Sequence, residues 1–248
     1  MTHYFITGAS AGIGAALATK LNKGKHQVSA VARRADLLAA LQQASDYFCG
    51  YQADVRDADA IAATVNDSVK TYGPIDVAIL NAGIYTPQNG CQIIPSIYAE
   101  HMDVNYMGVV NGLAAIIPRM LAAGGGQIVI ISSVAGWRGL PKAAAYAPTK
   151  AALIALAESL YFDLTPKNIK IQIMCPGFVD TEATAVNDFD MPDLLTAETA
   201  ADLIISGMQN DVFSHDFPKS FTRKLKILKY SPDRLFFALV GKKTGAGS

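Results

Sequence analysis

A strand-like run, Tyr4-Phe5-Ile6-Thr7, passes directly into Gly8-Ala9-Ser10-Ala11-Gly12-Ile13-Gly14 and then into an alanine-rich helical stretch. Glycine admits positive φ and close backbone approach. A helix that starts directly behind such a turn aims unpaired N–H groups and a partial positive charge at whatever lies over the loop. The combination predicts a phosphate cradle for a dinucleotide, with Gly8, Ser10, Gly12, Ile13 and Gly14 as cofactor-binding positions. It also commits the chain to strand–helix–strand units. Short β-type runs alternate with alanine-rich helical stretches along the sequence, which predicts an α/β fold with a parallel sheet covered by helices on both faces. The glycine spacing is Gly-x-x-x-Gly-x-Gly, which differs from the Gly-x-Gly-x-x-Gly of the general dinucleotide fingerprint.

The second predicted strand, His26-Gln27-Val28-Ser29-Ala30-Val31-Ala32, bears on which dinucleotide is used. A site for NAD places Asp or Glu about 20 residues beyond the glycines, to hold the ribose 2′-hydroxyl. Here Ala32 stands at the strand end and Arg33-Arg34 follow. No acid repels a 2′-phosphate, and two guanidiniums can grip it through charge-assisted forks. NADP(H) is therefore expected ahead of NAD(H).

Tyr146 and Lys150 lie four residues apart near the start of an apolar helical run, with Ser133 upstream. At that spacing phenol and ammonium share one helix face, so the cation stabilises a tyrosinate. An unperturbed Tyr titrates at about 10. A unit charge at roughly 4 Å, in an effective dielectric of about 20, contributes about 4 kcal/mol, or about three pKa units. That poises the phenol at roughly 7, with burial opposing the shift. Ile128-Val129-Ile130-Ile131-Ser132-Ser133 reads as a buried strand that delivers a serine to its carboxyl end, the edge where open α/β sheets bind substrate.

Ser133 with Tyr146-x-x-x-Lys150, together with the glycine spacing, resembles the short-chain dehydrogenase/reductase family, and the similarity extends to about Thr181. The resemblance implies a single-domain, Rossmann-type, doubly wound parallel sheet. It implies that Tyr146 exchanges the substrate proton, that Ser133 holds the carbonyl or alcohol oxygen and that Lys150 also binds the nicotinamide ribose. Asn105 matches an asparagine that anchors a water-mediated proton relay. Asp54 and Val55 match a pair that contacts adenine, and Asn81-Ala82-Gly83 matches a cofactor segment at the end of the fourth strand. Pro176, Gly177, Val179 and Thr181 fall in the segment that lines the nicotinamide carboxamide. The chain departs from the family pattern at Leu80, at Pro148-Thr149 and at Ala11, where many NADP-type relatives carry a basic residue. The activity implied is interconversion of a secondary alcohol and a ketone. A regulatory dinucleotide sensor and an epimerase or dehydratase of the extended branch are the alternatives.

At 248 residues and 51% hydrophobic, the chain can bury one large core. Residues 1–218 are expected to form the dinucleotide-binding and catalytic domain, and 219–248 a basic amphipathic extension of it. Cys49, Cys91 and Cys175 are widely spaced, which fits buried thiols in a reducing, cytoplasmic compartment. The four histidines show no ligand spacing, so no metal is expected. No uncharged apolar run of about 18 residues suggests a spanning helix. The stretch Ala147 to Leu164 is apolar on nearly every side. In the resembled family it and the helix around Met107 to Met120 pair across a twofold axis, which implies a homodimer, with a tetramer as a further option. Of 21 Lys and Arg and 21 Asp and Glu, eight basic residues but only Asp233 among the acids fall between Lys219 and Lys243. Phe221, Leu225 and Leu228 share one helical face there, and Leu235, Phe236, Leu239 and Val240 form a second stripe. Such a tail can lie on an anionic membrane, cover an apolar pocket, or simply pack on its own protein. Nucleic acid is not an expected partner, because no aromatic stacking platform accompanies the basic residues. Tyr85 to Ile97 and Glu182 to Leu195 are expected to line or cover a pocket for a small, apolar carbonyl or alcohol substrate.

Overall fold

The computed structural model describes residues 1–42, 45–187 and 191–244. Residues 188–190 of the expected pocket cover and 245–248 of the extension lie outside this range. Strands β1 (His3–Thr7), β2 (Gln27–Ala32), β3 (Phe48–Gln52), β4 (Val77–Leu80), β5 (Gly126–Ile131) and β6 (Ile169–Pro176) join one sheet. A short ribbon, β7 (Val179–Asp180) with β8 (Leu195–Thr196), follows, and β9 (Ser214–Phe217) completes the sheet. The order is β3-β2-β1-β4-β5-β6-β9, with every pairing parallel. Among the described residues seven α-helices connect the strands and two follow the last one: α1 (Gly12–Lys23), α2 (Ala35–Gln42), α3 (Ala58–Tyr72), α4 (Pro95–Met102), α5 (Gly108–Ala123), α6 (Ala147–Leu164), α7 (Ala197–Met208), then α8 (Lys219–Lys229) and α9 (Asp233–Thr244).

Side chains alternate across a strand, and here both faces are covered, so both sets are apolar. Phe5, Ile128 and Ile130 pack on one face with Ile61 and Val65 of α3, Leu113 and Ile116 of α5, and Leu153 of α6. Ile6, Val129 and Ile131 pack on the other with Leu17 and Leu21 of α1, Leu38 of α2, and Ile204 of α7. Helix starts follow local chemistry. Asp57 accepts from the Ala60 amide at 2.9 Å to cap α3, and Thr196 accepts from the Thr199 amide at 3.1 Å to cap α7. Pro148 occupies the first turn of α6, where its missing N–H has no intrahelical partner to lose.

Between α4 and α5 the helix widens into one π-helical turn, Asp103–Met107. By length and composition the continuous helix Pro95–Ala123 is apolar enough to cross a membrane. Its stripe of Val104, Val109, Leu113, Ile116 and Met120 is instead buried in the core of the sheet.

Beneath β1 lies a buried polar knot. His3 Nδ1 contacts the Gly73 and Pro74 carbonyl oxygens at 3.0 and 3.1 Å, so it carries the proton. Nε2 therefore accepts from the Ser29 hydroxyl at 2.9 Å, and Ser68 donates to Ser29 at 2.8 Å. The knot ties β1, β2, α3 and the α3–β4 turn. Burial holds the His3 pKa below its ordinary value. The unfolded chain then binds a proton at higher pH than the native one. The resulting stability is complete above about pH 6.5 and is lost as pH falls below it, by up to about 1.4 kcal/mol per pH unit. Denaturant titrations from pH 7 down to pH 5 should show this loss, and His3→Gln should flatten it. An identical pH slope in the variant would assign the loss to other groups.

Candidate active site

Parallel strands bring all their carboxyl ends to one edge, and the strand order reverses between β1 and β4. A cleft of about 1670 Å³ opens there. Its floor is the glycine turn. Gly8 has φ 68° and Gly12 φ 52°, and a Cβ on Gly8 would stand 2.7 Å from Ala82 Cα. Gly8, Ser10, Gly12 and Ile13 line the cleft, while Gly14 lies beneath it, with its Cα against the Gly8 carbonyl. Helix α1 starts at Gly12, behind an Ala11 N-cap that offers no side-chain cap, and has no acid in its first turn. These features fit the pyrophosphate of a dinucleotide, which needs close backbone approach and unshielded N–H groups.

Asn81 lines the cleft as expected and also braces its floor. Its amide donates to the Thr7 and Gly8 carbonyls at 3.1 and 3.3 Å, while the Thr7 hydroxyl accepts from the Asn81 and Ala82 amides at 3.0 and 3.2 Å. Asn81 and Thr7 thus stitch the glycine turn to the end of β4. Ala82 and Gly83 line the cleft beside them.

At the far end, Arg33, Arg34, Asp54 and Val55 line the cleft as expected. The two arginines are not equivalent. Arg34 Nη1 is 2.9 Å from the Glu182 carboxylate and Nε donates to Ser10 Oγ at 3.3 Å. Arg56 grips Asp54 at 2.6 Å and, as the leading cause, lowers its pKa. Across the cleft β6 ends at Pro176, and the Gly177 amide donates to the Phe217 carbonyl at 2.7 Å. Val179 is buried, and Thr181 Cγ2 would lie 2.9 Å from a Cβ on Gly12. The expected carboxamide segment therefore closes directly over the glycine turn.

Ser133, Tyr146 and Lys150 meet midway. Ser133 follows β5, accepts from the Ala135 amide at 3.1 Å, donates to the Pro176 carbonyl at 3.5 Å and lines the cleft together with Tyr146. Tyr146 is the residue before α6, and Lys150 is one turn in. Lys150 Nζ donates to the Ile131 carbonyl at 2.9 Å and stands 5.5 Å from the Tyr146 ring centroid. The sequence expectation of a phenol poised at roughly 7 is corrected here. Burial dominates, with the Ser133 hydroxyl opposing it, and the phenol is pushed up to about 12. Burial also brings Lys150 down to about 8. The ammonium is turned toward Ile131 and does not offset the desolvation of the phenol. Tyr146 in this state holds its proton.

Asn105 sits in the π turn, fully buried behind the cleft wall. Its Oδ1 accepts from the Ile84 amide at 2.7 Å, and its Nδ2 donates to the Ile84 carbonyl at 3.0 Å and to Thr149 Oγ1 at 3.1 Å. Thr149 in turn donates to the Tyr146 carbonyl at 2.7 Å. Thr149 is thus the link between Asn105 and the turn that carries Tyr146 and Lys150. The sequence marks Thr149 only as a departure from the family pattern, and its place beside Lys150 was the available signal for this role.

The outer part of the cleft is walled by Tyr85, whose ring meets Tyr146 edge-on at 5.3 Å, and by Phe221, Leu225 and Leu228 of α8 with Leu239 and Val240 of α9. Pieces of both expected cover segments also line it, including Thr86, Pro87, Glu182 and Thr184. Among the described residues no cluster of His, Cys, Asp and Glu offers a metal site.

Residues 2–191 match the sequence pattern of the family described as short chain dehydrogenase. An uncharacterized oxidoreductase from Myxococcus xanthus is 33% identical over 237 residues, 94% of each chain. The 2-(R)-hydroxypropyl-CoM dehydrogenase of Xanthobacter autotrophicus is 32% identical over 198 residues, 76% of this chain and 78% of that one. A short chain dehydrogenase from Burkholderia cenocepacia J2315, solved in complex with NADP, superposes with a TM-score of 0.84 at 23% identity, over 96% of this chain and 97% of that chain. A 3-ketoacyl-(acyl-carrier-protein) reductase from Brucella melitensis, complexed with NADH, gives a TM-score of 0.81 at 23% identity, over 87% and 96%. The seven-stranded sheet is therefore the Rossmann-like fold of these proteins, and the chain belongs to the short-chain dehydrogenase/reductase family of oxidoreductases.

Proposed function

We propose that the protein is an NADP(H)-dependent oxidoreductase that interconverts a ketone and a secondary alcohol on an apolar substrate. The observation that carries this reading is the convergence of Ser133, Tyr146 and Lys150 on the wall of a cleft that also contains the glycine turn. A dinucleotide sensor needs the turn but has no use for a proton donor aimed into the cleft.

When bound, the dinucleotide supplies the hydride at nicotinamide C4. In reduction, Tyr146 gives its proton to the carbonyl oxygen as negative charge develops there. Ser133 orients that oxygen beside the phenol. Lys150, largely charged at neutral pH, stabilises the tyrosinate left behind once its ammonium turns from the Ile131 carbonyl toward the phenol. Asn105 and Thr149 are positioning residues that fix the first turn of α6. The apolar residues of α8 and α9 favour a substrate with a hydrocarbon body. Outer residues of the helical faces expected to pair subunits, such as Met107 and Phe162, are exposed in the single chain and support a homodimer.

A panel of ketones assayed with NADPH and NADH tests the activity and the cofactor together. NADPH should be preferred, and Arg33→Ala with Arg34→Ala should weaken NADPH by at least about 10-fold more than NADH, since only NADPH loses partners for a 2′-phosphate. Equal losses would make the arginines structural. Binding of NADPH without turnover of any ketone would favour the sensor.

A further inference from the structure

We propose that α8 and α9 dock the protein peripherally on an anionic lipid bilayer. The pair is anchored by its inner side. Asp216, buried at the end of β9, binds Lys219 at 3.2 Å and Lys226 more closely. Arg138, from the loop between Ser133 and Tyr146, donates to the Leu228, Lys229 and Ser231 carbonyls at 3.3, 3.3 and 2.8 Å. Its guanidinium also stacks on the buried Phe236 ring at 3.9 Å and pairs with Asp233. These contacts decide which side faces outward.

That outward side is apolar and basic at once. Ile227 is 75% exposed, Tyr230 81%, Phe237 66% and Leu235 50%. Arg223, Lys224, Arg234 and Lys242 are exposed and have no acidic partner among the described residues. Asp233, the one acid of the pair, is taken by Arg138. A helix surface turned to water carries its large apolar residues singly, whereas this one concentrates them on two adjoining helices. The charge selects the occupant. A second copy bringing the same surface would set like charges against each other, while anionic headgroups meet the cations as the apolar side chains enter the acyl boundary. Lys224, Leu239 and Val240 also line the cleft mouth, so a docked protein opens its cleft beside the lipid.

Sedimentation of the full chain with vesicles tests this. Binding is expected to phosphatidylcholine vesicles that contain phosphatidylglycerol, to be far weaker to phosphatidylcholine alone, and to decline as salt rises. Each cation removed should lower partitioning about fivefold, so Arg223→Gln with Arg234→Gln should lower it roughly 30-fold. Ile227→Ser with Phe237→Ser should also weaken binding, with circular dichroism and NADPH affinity unchanged as the control for folding. Absence of binding to phosphatidylglycerol vesicles at low salt overturns the proposal, as does binding that ignores both pairs of substitutions. A dimer in light scattering that Ile227→Ser with Phe237→Ser dissociates, without vesicle binding, gives the surface to a second copy. None of these readouts depends on ketone turnover, so docking and catalysis stand or fall separately.

Discussion

Tyr146→Phe is expected to lower turnover by at least about 10²-fold, the scale of general acid catalysis, while leaving NADPH affinity nearly unchanged. The substitution removes one oxygen and keeps the ring, so the edge-on contact with Tyr85 survives. The dinucleotide cradle at Gly8 to Ile13 does not include the phenol. In the native protein the phenol is held protonated, with a pKa of about 12, so the group removed is the proton donor itself. Ser133 keeps its Ala135 contact and can still orient a carbonyl. Steady-state kinetics with NADPH titration separates the two effects. Turnover within a few-fold of wild type would mean the proton comes from elsewhere.

Gly14→Ala should be the most damaging single methyl group in the molecule. Its Cβ would lie 2.1 Å from the Gly8 carbonyl oxygen and 2.6 Å from Asn81 Nδ2. Both neighbours are fixed, one by the turn and the other by its hydrogen bonds to Thr7 and Gly8. Either the glycine turn lifts from β4 or α1 moves off the sheet. The cost is expected to be at least about 3 kcal/mol, a fall in Tm of roughly 6–12 °C for a chain of this size. Dinucleotide binding should be lost with it, because the displaced turn is the pyrophosphate floor. Differential scanning calorimetry and NADPH fluorescence titration check both. Wild-type melting and binding would show that the turn yields freely.

What the sequence made legible was local. The glycine turn, the strand before Ser133 and the four-residue step from Tyr146 to Lys150 are short-range patterns, and the sheet arranges them as their spacing implies. What it hid is long-range. Glu182 reaches Arg34 across 148 residues, and Arg138 reaches the carbonyls of α8 across 90 and 91. No periodicity encodes such pairs. The Tyr146 pKa was misjudged because spacing fixes the distance between phenol and ammonium, whereas dryness and the direction of the ammonium come from the closed fold. The tail stripe was only half right. Phe236 turns inward while Leu235 faces outward, because the Arg138 guanidinium selects the face of α9 that is held.

The Arg34–Glu182 bridge sets a resident carboxylate beside any incoming 2′-phosphate. A 2′-phosphate that engages Arg34 shares the guanidinium with the Glu182 carboxylate seated on Nη1, whose like charge offsets part of the gain. Arg33, which has no such resident acid among the described residues, meets an incoming phosphate without that competitor. The bridge also joins the strand end of the adenosine half to the segment that closes over the glycine turn. One ionic contact therefore spans the two banks of the cleft at its adenosine end.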